Sequence, residues 1–123
     1  MSNAANLALG LLLGAIGWGL GSAISGSFEP FDSGVGFFCT QFVLGSAALV
    51  VGFRSGASRL AALLVGGYLG LNLYAYLFGG SESRGWALLG AVTTLSLVVL
   101  PLLAGLVGVV VRKLRSRSAP GGQ

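Results

Sequence analysis

Residues 7–25 read LALGLLLGAIGWGLGSAIS, an uncharged run close to the ~20 apolar residues a helix needs to cross a bilayer core. The run is notched. Gly10, Gly14, Gly17 and Gly21 recur at intervals of four, three and four. At about 100° per residue they fall within about 60° of one another and form one flat stripe. In lipid, such a stripe lets a second backbone approach closely. The remaining apolar runs are the natural partners for it.

Composition sets the same frame. The 123-residue chain is 54% hydrophobic and 8% charged, with mean hydropathy +0.90. A soluble domain carries roughly 25% charged residues. This chain cannot cover its surface with polar groups, so lipid is its expected solvent. The bias toward Ala, Gly, Leu and Arg is that of a high-G+C bacterial gene. Met1–Asn6 is short and uncharged, and Ser2-Asn3-Ala4 resembles a cloning scar, so it is assigned no structural weight. With no basic segment ahead of the first apolar run, no signal peptide is read.

Four spans follow, at about 7–25, 36–53, 60–79 and 85–111. The fold expected is therefore all-α: a polytopic four-helix membrane bundle occupying residues 7–111. The last run is longer than a bilayer requires and is expected to tilt or to bend at Pro101. The basic tail, residues 112–123, ends in Ser, Pro and Gly and is expected to be disordered. Arg54, Arg59, Arg112, Lys113, Arg115 and Arg117 flank the second connection and the last span, and the net charge of +4 comes mostly from the last four. By the positive-inside rule they anchor both termini in the cytoplasm, as expected for an inner-membrane protein. Anionic lipid, rather than nucleic acid, is the expected partner of the basic tail. The loops carrying Glu29, Asp32 and Glu82 then lie outside. Phe28, Phe31, Phe37, Phe38, Tyr74, Tyr76, Phe78 and Trp86 crowd that interface, while Trp18 falls inside the first span.

Small-residue faces recur. The second span has Gln41, Gly45, Ala48 and Gly52; the third has Gly66 and Gly70 beside Gly67; the fourth has Gly90, Thr94, Pro101, Gly105 and Gly108. Helix packing is the first use of these glycines, and a glycine-lined pore or self-association face is the alternative. Sliding the chain by 53 residues aligns about a dozen identities, among them Gly14 with Gly67, Gly17 with Gly70 and Gly52 with Gly105. Two tandem helical hairpins related by an axis along the membrane normal would produce such a repeat.

Chemistry-bearing residues are few. There is no His and one Cys, Cys39, so a zinc site and a Cys–His nucleophile pair are excluded. No Asp, Glu, Lys, Arg or His lies within a span, which argues against a self-contained proton-driven pump. Glu29, Asp32 and Glu82 lack the fixed spacing of a metal site. Residues 14–21, GAIGWGLG, follow no strand, so a dinucleotide-binding reading fails on context. Neither metal nor cofactor is expected, and no nucleophile has a visible base, so no enzyme is expected. The intramembrane polar set is Gln41, Tyr68, Asn72, Tyr76 and Thr94. Tyr68, Asn72 and Tyr76 are four apart on one helix face, with Gly66 and Gly70 roughly opposite. Asn72 near mid-depth must find a partner, for which Gln41, Thr40, Thr93, Thr94 and Ser96 are candidates. The set reads as interhelical glue or as the polar lining of a solute path.

The expected role is structural or accessory, as a homo-oligomer or as a subunit of a larger membrane complex. A small passive channel or neutral-solute transporter working as a dimer is the alternative. A holin-like permeabilising protein is a third reading, resting on small size and the basic tail.

Overall fold

A computed structural model of the chain describes residues 2–26, 34–78 and 87–118. Five helices occupy them: α1 (Asn3–Ser25), α2 (Gly34–Ser55), α3 (Ala57–Phe78), α4 (Ala87–Thr93) and α5 (Leu95–Ser118). With α4 and α5 nearly continuous, four segments are long and apolar enough to cross a membrane. The all-α four-span bundle expected from the sequence is the fold observed. The loop residues Glu29, Asp32, Glu82 and Arg84, with Phe28, Phe31 and Trp86, lie outside the described residues.

The helix ends differ from expectation in both directions. Ser2 caps α1: its side chain accepts from the Ala5 amide at 3.1 Å. The segment given no structural weight is thus the first turn of a helix, and Asn6 within it is fully buried. At the other terminus, α5 continues through the expected disordered tail as far as Ser118. A helix already nucleated in an apolar run propagates cheaply. Arg and Lys are good helix formers, and they suit the negative end of the helix dipole. The connection between α2 and α3 shrinks to Gly56 alone, at φ 89°, a left-handed conformation that glycine adopts without steric cost.

Two contacts place both termini at one end. Asn3 Nδ2 donates to Ser58 Oγ at 3.1 Å, joining the start of α1 to the start of α3. Arg112 Nη1 donates to the Arg54 carbonyl at 2.5 Å, joining the late part of α5 to the end of α2. Gly56 lies between them in the chain. The N-terminus, the α2–α3 turn and the α5 C-terminus therefore share one end, as an even number of spans requires.

The tightest packing joins parallel helices, α1 with α3 and α2 with α5. A Cβ on Gly10 would meet the Leu63 carbonyl and stand 2.8 Å from the Gly67 nitrogen; one on Gly66 would meet the Leu7 carbonyl and stand 2.9 Å from the Leu11 nitrogen. A Cβ on Gly14 would strike the Gly67 carbonyl, and one on Gly70 the Leu11 carbonyl. Between α2 and α5, Gly52 sits on the Gly105 carbonyl and Gly108 on the Leu49 carbonyl. These contacts are reciprocal. Leu7 with Leu63, Gly10 with Gly66, Leu11 with Gly67, Gly14 with Gly70, Leu49 with Gly105 and Gly52 with Gly108 all differ by 56 positions. Reciprocity is the mark of a two-fold contact, in which i touches j and the mate of j touches the mate of i. Because the paired helices are parallel, the local two-fold runs along them and relates hairpin α1–α2 to hairpin α3–α5.

The register is 56, not the 53 that the identities favoured. Glycines spaced three and four apart make slips of three nearly degenerate, since such a slip turns a helix by only about 60° away from coincidence.

One glycine assigned to packing is not used that way. Nothing lies within 4 Å of a Cβ built on Gly45. The backbone contacts of α2 with α5 that glycine permits lie at Leu49–Phe53 against Gly105 and Gly108, and Gly45, on the same face of α2, makes none. Gly17 and Gly21 serve α1 against α2, facing Thr40 and Gly36.

The apolar side chains show which solvent the bundle is built for. Trp18, Leu44, Leu71 and Leu97 form one buried cluster, and Ala48, Val51, Leu60, Leu63, Leu64 and Val109 another. Most other large apolar groups face outward: Leu88 is 83% exposed and Phe42 75%. Such a continuous apolar exterior is untenable in water and suits lipid.

Gly14→Val is expected to lower stability by about 1–3 kcal/mol or more, because its carbonyl neighbours cannot retreat. Gly45→Ala is expected to be neutral or to stabilise by up to about 1 kcal/mol, since open space receives the methyl. Thermal unfolding of the two purified variants in detergent checks the contrast.

Candidate functional site: a polar seam at the broken helix

The fourth span is interrupted at Thr94, between α4 and α5. The interruption lies seven residues before Pro101, the residue at which a bend is expected from the sequence. The proline ring clashes with the carbonyl four residues earlier and removes the amide that would have bonded it. That carbonyl belongs to Leu97. Gln41 Nε2, from α2, donates to it at 2.9 Å. A side chain on a neighbouring helix thus supplies the hydrogen bond that Pro101 cannot. Around the break, the Leu97 amide bonds the Thr94 carbonyl at 3.0 Å, an i−3 contact that tightens the turn.

Helix α3 closes the seam from the other side. The Tyr68 hydroxyl donates to the Ala91 carbonyl at 2.5 Å. Asn72 Nδ2 donates to the Tyr68 carbonyl at 2.8 Å. Thr94 Oγ1 lies 3.1 Å from both Asn72 Oδ1 and the Ala91 carbonyl. A hydroxyl has one proton. Tyr68 already serves Ala91, so donation to Asn72 satisfies the acceptor that otherwise has none in the seam. Thr40 Oγ1 makes a similar choice between the Gly36 carbonyl at 3.1 Å and the Gly17 carbonyl at 3.3 Å.

The structure therefore brings together four of the five polar residues singled out from sequence: Gln41, Tyr68, Asn72 and Thr94. Tyr76, the fifth, is 51% exposed on α3 and stands apart from these bonds. Gly66 and Gly70 occupy the opposite side of α3, against α1, as the helical spacing predicts. Of the other candidate partners, Thr93 and Ser96 bond carbonyls of their own segment, Gly90 and Thr93, at 3.1 and 2.7 Å. The pairing of Gln41 with the Leu97 carbonyl went unread in the sequence. Pro101 was its signal, because a proline within a span names the carbonyl that needs a foreign donor.

Gln41, Tyr68 and Asn72 donate to backbone carbonyls, and Thr94 pairs with the Asn72 side chain. Gln41 Oε1 is left buried with no hydrogen-bond partner among the described residues. No group of three or more His, Cys, Asp or Glu occurs among the described residues. The basic anchors lie together at the terminal end. Arg112 holds the Arg54 carbonyl, and the Arg115 guanidinium stands 5.8 Å from the Phe53 ring centroid.

No family model, no curated protein and no solved structure matches this chain. Fold and exterior alone define the class: a multi-pass, α-helical membrane protein.

Gln41→Leu is expected to cost about 0.6 kcal/mol and at most about 1.7, the mean and the maximum found for interhelical hydrogen bonds in lipid. In a Pro101→Ala background the Leu97 carbonyl regains a helical amide, and the same substitution is expected to cost less than half as much. A double-mutant cycle on detergent unfolding checks the coupling.

Proposed function

We propose that this protein is a structural or accessory component of the inner membrane, acting as a homo-oligomer or as a subunit of a larger membrane complex, with both termini in the cytoplasm. One observation carries the reading. Most glycines of the stripes pack on helices of the same chain, and Gln41, Tyr68 and Asn72 each donate to one of its carbonyls. What remains outward is an apolar surface suited to lipid and neighbouring helices. The short connections leave little material for a soluble active site.

A second reading, a small passive channel or neutral-solute carrier working as a dimer, is favoured by one specific feature. Discontinuous membrane helices line binding sites in many transporters. Here Gln41 bonds the Leu97 carbonyl just past the break at Thr94, and its Oε1 has no partner among the described residues.

The deciding measurement is mass in mild detergent after purification from the native membrane at native level. Recovery bound to other membrane proteins, or as a single homo-oligomer without solute flux in liposomes, is expected on the accessory reading. A homo-oligomer that passes neutral solutes, with flux lost in an Asn72→Leu variant that still assembles, replaces it with the channel. A lone monomer defeats both.

Orientation has its own check. With Cys39 replaced by Ser, a cysteine introduced at Ser116 is expected to react with an impermeant maleimide only after the cells are opened. Labelling of intact cells would reverse the topology.

A further inference from the structure

The 56-residue relation assigns a counterpart to each contact between helices, and at one place the counterparts do not meet. Gly17 sits on Thr40 and Gly21 on Gly36, which seats the first part of α2 against α1. Fifty-six positions on, these residues become Leu73 with Ser96 and Leu77 with Val92. All four are exposed. Leucine at both positions of α3 denies the last span the close seat that glycine gives α2 on α1.

The last span is therefore seated firmly along α5 only. Helix α5 is held to α2 where Gly52 meets Gly105 and Gly108 meets the Leu49 carbonyl. Gln41, on the Leu97 carbonyl, is the clamp nearest the break. Helix α4 lies beyond that clamp. Among the described residues, no α-carbon of α4 comes within 8 Å of an α-carbon in α1 or α2. A Cβ on Gly90 would meet nothing within 4 Å. Two side-chain bonds to α3 hold the segment. The Tyr68 hydroxyl donates to the Ala91 carbonyl within α4, and Thr94, just past its end, pairs with Asn72. Interhelical hydrogen bonds in lipid are individually weak. The link to α5 is a single turn. The Thr94 amide bonds the Gly90 carbonyl at 2.9 Å, and the Leu97 amide bonds the Thr94 carbonyl at 3.0 Å. Hinges are built at element ends like this one, from a few residues that absorb a backbone rotation.

We propose that α4 is a hinged lid over the polar seam. It swings on residues 94–97 while α5 stays clamped, and Tyr68 is its latch. Swinging out parts Ala91 from Tyr68, loosens Thr94 from Asn72 and uncovers the Asn72 side chain. Gln41 and the Leu97 carbonyl stay together on the fixed side. The motion is a property of the fold and is common to both roles proposed above.

The swing is measurable as a distance. Thr94 and Leu88 are six residues apart, or about 9 Å along a helix. A swing of about 20–30° carries Leu88 by about 3–5 Å. The full-length protein, with Cys39 replaced by Ser, carries spin labels on cysteines introduced at Val65 and Leu88, one on α3 and one on α4. A second sample is labelled at Val65 and Phe42, on α3 and α2. All three positions are exposed. Pulsed electron–electron resonance is recorded in lipid nanodiscs. Tyr68→Phe removes the latch and keeps the ring. It is expected to lengthen the 65–88 distance by about 3–5 Å, or to raise a longer component by that amount, and to leave the 65–42 distance unchanged. Thr94→Val removes the second bond at constant shape and is expected to act in the same direction. A 65–88 distance that both variants leave at the parent value overturns the lid. Equal broadening of the two distances overturns it as well, because the whole bundle would then have loosened and no hinge would be needed.

Discussion

Backbone meets backbone between α1 and α3, and the rest of the bundle follows from that approach. Gly10, Gly14, Gly66 and Gly70 each face a carbonyl of the other helix so closely that a methyl group would collide with it. Lipid tails are as apolar as leucine, so no hydrophobic drive pushes membrane helices together. Dispersion at short range and small-residue complementarity must do so instead. The α2–α5 pair repeats the device with Gly52, Gly105 and Gly108. Because both pairs join parallel helices, neither can form within one hairpin. The fold is held by contacts between hairpins, and the reciprocal spacing of 56 residues is their geometric signature.

Polar groups do a different job. Proline within the last span orphans the Leu97 carbonyl, and the helix breaks at Thr94. In water such a defect would be hydrated. In hydrocarbon each exposed carbonyl costs several kcal/mol, so it must be answered from within the protein. Gln41 answers from α2, and Tyr68, Asn72 and Thr94 lace the break to α3. The seam thus ties the one irregular span to both of its neighbours. Glycine sets how closely the helices approach; the seam fixes where the broken span sits between them.

Much of this was legible in the sequence. Apolar length and the near absence of charge were enough for four spans, because transfer to lipid is close to additive over residues. The stripe Gly10–Gly21 and the opposed faces of α3, with Tyr68 and Asn72 on one side and Gly66 and Gly70 on the other, follow from helical spacing alone. Three things were not legible. Helix ends at Asn3 and Ser118 depend on capping and on propagation, which polar flanking residues do not oppose. The repeat register was obscured by the near-degeneracy of glycines three and four apart. Gly45 shares an angular face with Ala48 and Gly52, yet helices that cross touch only locally, and the crossing point is a tertiary fact.

Pairing between hairpins also sets a timetable for biosynthesis. Helix α1 cannot be covered until the segment around Gly66 and Gly70 has been made and inserted. At the 5–20 residues per second of translation, 56 residues correspond to about 3–11 seconds. Throughout that interval the face of α1 that will meet α3 stays open. A face that is nearly the twin of its eventual partner is also complementary to the same face on another nascent chain. Prompt arrival of α3 from the same ribosome, at an effective concentration no second chain can match, is what keeps the product intramolecular. The one-residue link at Gly56 serves this end: it delivers α3 with no slack between it and the helix before it.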